Sequence, residues 1–211
     1  MGAPVRTLLL LLLFCCISPV RAQSAPIFEA AEAGKRTEVE RLLAAGALID
    51  ARNEDDETLL YVAVEKGHLP VVHFLLGKNA NLKLLTKSGE TVTHAAALRG
   101  DAGILRLLLE RGAEPDRANR AGESPLFWAA GAGHAPVLRL LVERGANFKA
   151  IDAQGNSALH FAADGGHETV AWLLLESGVH PDLRNAAGET ALDLARRRGH
   201  ANLVQLLAKR P

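Results

Sequence analysis

The stretch Ser157–Glu189, SALHFAADGGHETVAWLLLESGVHPDLRNAAGE, decides how the rest of the chain is interpreted. It contains a short apolar segment, a Gly-Gly break, a second segment rich in Leu, and an extended tail with turn-forming residues. A glycine returns along the chain at a constant spacing of 33 residues, as Gly34, Gly67, Gly100, Gly133, Gly166 and Gly199. A fixed period of this length is typical of a solenoid of stacked repeats.

Other residue types follow the same period. Five hydroxyl residues are each expected to cap the first helix of a repeat by accepting a hydrogen bond from a backbone N–H. They are Thr58, Thr91, Ser124, Ser157 and Thr190. Each second helix is expected to end at a left-handed residue, at Gly46, Asn79, Gly112, Gly145 and Gly178. Pro26 is expected at the first position of the first helix. The sequence therefore predicts an all-α domain over 23–211, with six helix-turn-helix repeats, short hairpin connections, and terminal repeats that act as caps.

The first 22 residues differ from the repeats. A positive charge at Arg6 precedes the apolar run Leu8–Ile17, and Val20-Arg21-Ala22 provides residues that a signal peptidase accepts. Ten apolar residues are too few to cross a bilayer, so we predict a secretory signal peptide over 1–22, cleaved after Ala22. The mature protein is then periplasmic or secreted, without membrane insertion, and lacks both cysteines. An envelope protein that keeps this segment as an anchor is the alternative.

Composition restricts the function classes. The chain has 24 Lys and Arg residues against 24 Asp and Glu residues. Because basic residues are not in excess, the charge does not indicate a nucleic-acid partner. Aromatic residues make up only 4% of the chain, which predicts a core of Leu, Ala and Val. The mature chain has no N-x-Ser/Thr sequon, which is compatible with a bacterial periplasm and leaves a eukaryotic secreted protein as the alternative.

Two segments, GESPLFWAAGAGH (Gly122–His134) and GNSALHFAADGGH (Gly155–His167), resemble the ankyrin-repeat pattern G-x-T-P-L-H-x-A-A-x-x-G-H. The resemblance covers essentially the whole mature chain, and it implies a module that binds a protein partner. Three departures are local, because Thr93 replaces a core Leu, Asp56 a hairpin Gly, and Asp193 the His of the motif. We therefore expect a strained hairpin in the second repeat and a slightly underfilled core in the third.

Two sets of residues are candidates for chemistry: the recurring histidines and a possible Ser-His-Asp triad. One His recurs at the same repeat position, as His68, His134, His167 and His200. Neighbouring repeats are about 10 Å apart, whereas zinc ligands lie about 2 Å from one point. The resemblance implies structural hydrogen bonds for these residues and for His94 and His160. Ser157, His160 and Asp164 are the residue types of a hydrolase triad, but Ser157 is expected to be a helix cap. We predict no enzyme, no cofactor and no metal; a metal-binding accessory protein is the alternative.

The resemblance further implies a concave binding groove, formed by the hairpin tips and the inner face of each first helix. Its candidate residues are Glu54, Asp55, Asp56, Glu65, Lys87, Arg99, Arg120, Gln154, Asp164, Arg197 and Arg198. Charge along this set changes from negative to positive, which would orient an extended partner. The alternative is that these side chains only solvate the surface.

Trp172 is the candidate for the opposite, back face. Its repeat position is occupied elsewhere by His73, Arg106, Arg139 and Gln205, so we expect it to be exposed on a second helix. An exposed Trp is either an interface residue or packs over a neighbouring helix. We expect a monomer, with self-association through Trp172 as the alternative.

Overall fold

The computed structural model describes residues 19–209, and this part of the chain forms twelve helices. They alternate between first and second helices of successive pairs: α1 (Pro19–Glu32), α2 (Arg36–Ala44), α3 (Leu59–Glu65), α4 (Leu69–Gly77), α5 (Val92–Arg99), α6 (Ala102–Glu110), α7 (Pro125–Gly131), α8 (Ala135–Glu143), α9 (Ala158–Gly165), α10 (Glu168–Glu176), α11 (Ala191–Arg198) and α12 (Ala201–Ala208). The prediction of an all-α stack of helix-turn-helix units is confirmed.

The helices form two layers. Each first helix packs beside the first helix of the next pair, from α1 to α11, and each second helix packs against its own partner and at least one neighbouring second helix. Small side chains line the contacts between first helices, and all are at most 5% exposed: Ala30, Ala63, Ala96, Ala129, Ala162 and Ala195. Their size lets neighbouring helices approach closely, while buried Leu and Val fill the space between the layers.

Most first helices begin at the predicted hydroxyl residue. The hydroxyl of Thr58 accepts a hydrogen bond from the Tyr61 backbone N–H at 3.1 Å. In three other repeats the backbone N–H of the capping residue also donates to the side chain three residues later, forming Thr91–His94, Ser157–His160 and Thr190–Asp193 pairs at 3.0, 3.1 and 3.0 Å. Asp193 therefore replaces the motif His as an acceptor.

Ser124 is the exception. Its buried hydroxyl has no hydrogen-bond partner, so the predicted cap at this position is wrong. The third residue of α7 is Phe127, whose ring cannot accept the return hydrogen bond that His or Asp provides elsewhere. Pro125 begins this helix and has no N–H of its own to satisfy.

The predicted left-handed residues are confirmed. Asn79 has φ of 61°, in the same region as its four glycine counterparts. Asp56 has φ of 60°, and the matching residues of the next four hairpins are Gly89, Gly122, Gly155 and Gly188, all with positive φ. Because a side chain disfavours this conformation by about 1 kcal/mol, the hairpin that contains Asp56 is strained, as predicted.

The core of the third repeat uses a hydrogen bond where other repeats have a Leu. Thr93 is fully buried, and its hydroxyl donates to the Glu114 carbonyl at 2.9 Å. The polar group that replaces apolar volume is therefore satisfied, which limits the effect of this departure from the pattern.

The first helix differs from the prediction. It begins at Pro19, so exposed Pro26 lies inside α1 and not at its start; that prediction is wrong. A proline in this position removes one backbone hydrogen bond, to the carbonyl of Ala22, and the helix continues around it.

The predicted cleavage site after Ala22 falls within α1, and residues 1–18 of the predicted signal peptide lie outside the described residues. Among helices of residues 19–209, none is long and apolar enough to cross a membrane.

Candidate protein-binding surface

The hairpin tips are connected into one row by backbone hydrogen bonds between neighbouring repeats. The N–H groups of Lys87, Arg120, Ala153 and Ala186 donate to carbonyls of the preceding tip at 2.8 to 2.9 Å. The acceptors are Asp55, Ser88, Ala121 and Gln154. We call this row the hairpin ladder. It places the predicted residues Asp55, Lys87, Arg120 and Gln154 side by side, with exposed Glu54 next to Asp55.

Each hairpin is also closed internally by a polar side chain. The Asn119 side-chain oxygen accepts from the N–H groups of Ala121 and Glu123 at 2.9 and 3.0 Å. Asn53, Asp152 and Asn185 accept the same two hydrogen bonds in their hairpins. The Thr86 hydroxyl accepts the one from the backbone N–H four residues later. The hairpins are therefore held in shape before any partner binds.

Four partly buried glutamates follow these hairpins at the same repeat position, and sequence analysis did not select them. Each carboxylate accepts a hydrogen bond, from Asn53, Tyr61, Trp128 or Arg197, at 2.6 to 2.8 Å. We call the set the acidic row: Glu57, Glu90, Glu123 and Glu189. Burial and the nearby Glu90 carboxylate raise the pKa of Tyr61, so this phenol stays protonated and donates. The signal for the row was its 33-residue recurrence.

An aromatic pair lies beside the acidic row. Trp128 on α7 and Phe161 on α9 occupy the same position in neighbouring repeats and are only partly buried against the core. The centroid of the Trp128 ring lies 5.2 Å from that of the His94 ring in an edge arrangement. The ring centroids of Phe161 and Phe127 are 5.3 Å apart. Sequence analysis missed this pair, although two large aromatics at one position are unusual in a chain with 4% aromatic residues.

A cavity of about 290 Å³ opens next to Phe161. Leu194 and Phe161 provide its apolar wall, and Asp164, Glu189 and Arg197 provide its charged edge. The cavity places Phe161, Glu189 and the predicted Asp164 on one surface, and Trp128 with its acceptor Glu123 occupies the same repeat positions as Phe161 and Glu189. We call it the concave surface.

Several predicted groove residues are ion-paired. Arg198 binds the Asp164 carboxylate with two hydrogen bonds of 2.7 and 2.9 Å, and Arg197 binds Glu189 at 2.8 Å. Glu65 pairs with Lys66 at 2.9 Å. The predicted positive charges lie on α11, but two of them, Arg197 and Arg198, already donate to carboxylates of the concave surface. The predicted change from negative to positive charge is therefore weaker than the residue types suggested.

Arg99 has a packing role between repeats. A Cβ atom on Gly67 would lie 2.7 Å from the Arg99 guanidinium, which covers that glycine. In the equivalent contacts an imidazole covers the glycine, as His134 does over Gly100. The third repeat has Asp101 at the His position, where it caps α6, and Arg99 covers Gly67 in place of the imidazole.

The remaining histidines bind backbone atoms. One ring nitrogen of each binds a carbonyl of the preceding repeat at 2.6 to 3.1 Å, for His68, His134, His167 and His200. Buried His94 and His160 accept at Nδ1 and donate from Nε2 to the Glu123 and Glu189 carbonyls at 3.0 and 3.1 Å. Burial lowers the pKa of both. The structural role that the resemblance implied for these six histidines is confirmed.

The possible triad is not assembled. Ser157 contacts Nδ1 of His160 at 2.9 Å, but the other imidazole nitrogen binds the Glu189 carbonyl. The Asp164 carboxylate is occupied by Arg198. Across residues 19–209, no group of three or more His, Cys, Asp or Glu side chains could hold a metal ion.

Trp172 is 46% exposed on α10, as the repeat position predicted. The matching side chains of four other second helices are exposed too: His73, Arg106, Arg139 and Gln205. A role of Trp172 in binding stays a prediction.

Comparison with known proteins follows from this architecture. The family model for ankyrin repeats (3 copies) matches residues 8–88, 27–119, 93–185 and 150–211. The chain therefore belongs to the ankyrin-repeat family, whose repeats are protein–protein interaction modules. No curated protein matches the chain.

Two solved structures are similar over most of the chain. One is a chain in the complex of a predatory endopeptidase from Bdellovibrio bacteriovorus with an immunity protein, at 27% identity and a TM-score of 0.79, covering 89% of this chain and 98% of the other. The second is an ankyrin repeat domain from Acinetobacter baumannii AYE, at 30% identity and a TM-score of 0.73, covering 88% of this chain and 97% of the other.

Proposed function

We propose that this protein is an exported, non-enzymatic module that binds a protein partner through the concave surface. The observation that carries the proposal is the pair Trp128 and Phe161, which leaves aromatic area open beside the acidic row. Tryptophan is among the residues that contribute most to binding when a partner covers it. Its indole N–H already donates to Glu123 at 2.8 Å, so a partner can cover the ring without leaving that N–H unpaired.

The groove needs little reorganisation to bind. The hairpin ladder fixes the tips, and the Asn, Asp and Thr side chains close each hairpin. Since less ordering accompanies binding to a preformed surface, fewer contacts are needed for a given affinity. An apolar partner side chain fits the cavity beside Phe161, because the charged groups at its edge, Asp164, Glu189 and Arg197, are already paired within the protein.

The place and the manner of action are proposed on two further grounds. The signal peptide predicted over 1–22 supports a periplasmic or secreted location, and the protein acts there as a monomer. The similar chain from the endopeptidase–immunity protein complex supports an activity that consists of binding another protein. A second protein that forms a stable complex with this chain is therefore the partner we propose to look for.

Affinity capture with matched variants tests this proposal. Purified full-length protein is immobilised as wild type, as Trp128→Ala with Phe161→Ala, and as Trp172→Ala, and bound proteins from the producing cells are quantified. We expect the captured amount of one partner to fall at least about tenfold with the concave double variant, because truncating a binding hot spot, a class in which Trp is enriched, costs about 2 kcal/mol or more. Trp172→Ala should retain the partner. Retention by the double variant together with loss by Trp172→Ala would assign binding to the back face.

A further inference from the structure

The outer side of the hairpin ladder contains a second groove. It has a volume of about 520 Å³ and crosses the second, third and fourth repeats. Its charged lining residues are Arg52, Lys83, Arg117 and Arg120, with Asp56 as the acidic one. We call it the outer groove. None of its lining residues belongs to a helix, and the acidic row does not line it.

The local charge differs from that of the whole protein. The groove brings four cations together with one carboxylate, whereas the chain has 24 basic and 24 acidic residues. In the described part of the chain, neither Lys83 nor Arg120 has a carboxylate within ion-pair distance. Arg117 lies 3.5 Å from Glu114, a contact between two exposed side chains that water and salt readily replace.

The positions of these cations are fixed by the repeat stack. The guanidinium of Arg52 donates to the Leu85 carbonyl at 3.1 Å, across the boundary between two repeats. The backbone N–H of Arg120 is bound to Ser88 at 2.9 Å, and that of Lys83 to the Asn81 side chain at 2.9 Å. The stack therefore fixes the backbone from which Lys83 and Arg120 project and the guanidinium of Arg52, with Leu84 and Ala118 among the residues between them.

The geometry points to an extended acidic segment of a protein partner as the ligand of the outer groove. Guanidinium groups bind carboxylates with paired hydrogen bonds, and an extended chain repeats about every 3.3 Å, so its carboxylates can meet several cations in turn. Glu54 and Asp55 stand at the tip beside Asp56, and their charge limits the ligand to an acidic segment that ends before this tip. This surface is separate from the concave surface, and its function does not depend on the one proposed above.

A labelled peptide of ten glutamates serves as the probe. Its fluorescence anisotropy is measured with full-length wild type, with Lys83→Glu and Arg117→Glu together, and with Arg106→Glu and Arg139→Glu together. The second pair changes net charge equally, but its residues are exposed on α6 and α8. We expect saturable binding at low salt that falls at least about tenfold in the groove variant and less than about threefold in the control, since close charges dominate.

Other outcomes would overturn the inference. Equal losses in both variants would mean that net charge alone attracts the peptide. The absence of saturable binding by wild type at low salt would mean that the outer groove does not bind acidic segments. A third contradicting result is that single-stranded DNA binds more tightly than the glutamate peptide and loses this binding in the groove variant. That result would identify the ligand as a nucleic acid instead of an acidic protein segment. If reversal unfolds the protein, Lys83→Gln with Arg117→Gln gives the same comparison. The Trp128→Ala, Phe161→Ala double variant should bind the peptide normally, which keeps this test separate from that of the concave surface.

Discussion

The two sides of the hairpin ladder use the same repeats in opposite ways. On the inner side, the acidic row is partly buried and each carboxylate accepts a hydrogen bond from a neighbouring side chain. On the outer side, the cations of the outer groove are exposed, and Lys83 and Arg120 belong to no ion pair within residues 19–209. Polar groups on the inner side thus contribute to the fold, while those on the outer side are available to a ligand.

The comparison shows why residue type alone is a weak guide to a binding surface. A glutamate that recurs at one repeat position, with Asn156 as the exception, is a structural acceptor here, and the aromatic rings beside it are what remain open. Conversely, basic residues in the turns that connect the repeats come together only when three repeats are stacked. The following predictions test whether the inner side is structural and the outer side is not.

Replacing an inner-side histidine should have the largest effect. His160→Ala removes bonds to the Ser157 N–H and to the Glu189 carbonyl, which connect α9 to the hairpin of the next repeat. We expect a loss of about 2–3 kcal/mol in the free energy of unfolding, because buried polar groups are left unpaired. Ile151→Ala, an outer-side variant of a 53% exposed residue, should cost less than about 0.5 kcal/mol. Urea unfolding measures both, and equal losses would contradict the comparison.

Acid should destabilise the inner side through its two buried histidines. The folded-state pKa values of His94 and His160 lie below the unfolded value because burial disfavours the charged ring. The unfolded state then binds more protons, so stability is complete above about pH 6.5 and declines as pH falls toward the folded pKa, by at most about 1.4 kcal/mol per pH unit for each His. Unfolding at pH 7.5 and 5.5 measures this, with exposed His73→Ala as the control that keeps the decline. A constant stability would show that these imidazoles are not held neutral.

Asp56→Gly should stabilise the protein by about 0.5–1 kcal/mol, since glycine adopts a positive φ without the side-chain penalty. The reverse change is the matched control. Gly122→Asp should destabilise, because a Cβ there would also lie 2.9 Å from the Ala153 nitrogen. Thermal unfolding of both variants measures the pair. A stability loss in Asp56→Gly would mean that the carboxylate contributes more within its cationic surroundings than the backbone strain removes.

The smallest effect is expected at Ser124. Because its hydroxyl has no partner, Ser124→Ala should change stability by less than about 0.5 kcal/mol. Thr58→Ala, which removes the 3.1 Å bond to Tyr61, should cost about 1 kcal/mol. Chemical denaturation distinguishes them, and equal costs would indicate that Ser124 caps α7 after all.

Features that depend on one repeat position could be predicted from the sequence. The helix pairs, the left-handed residues at Asn79 and Asp56, and the structural histidines follow from the period and the conformational preferences of single residues. Asp193 is an intermediate case, since its departure from the motif was evident but its acceptor role required the Thr190 N–H.

Features that depend on neighbours could not be predicted in this way. The missing return hydrogen bond at Ser124 follows from Phe127 at the third position of α7, and the packing of Arg99 over Gly67 depends on Asp101 in the next loop. The pairing of Asp164 with Arg198 and the outer groove both join residues of different repeats. These contacts require the stack itself, because the period aligns equivalent positions and does not show which non-equivalent ones meet.

Site-specific photo-crosslinking tests the central claim most directly. A photo-reactive phenylalanine analogue replaces either Phe161 or Trp172 in the full-length protein, and crosslinks are formed in the producing cells and identified by mass spectrometry. The account predicts that one protein is captured from position 161, at the concave surface, and not from position 172. Capture from position 172 alone, or from neither position, would contradict it.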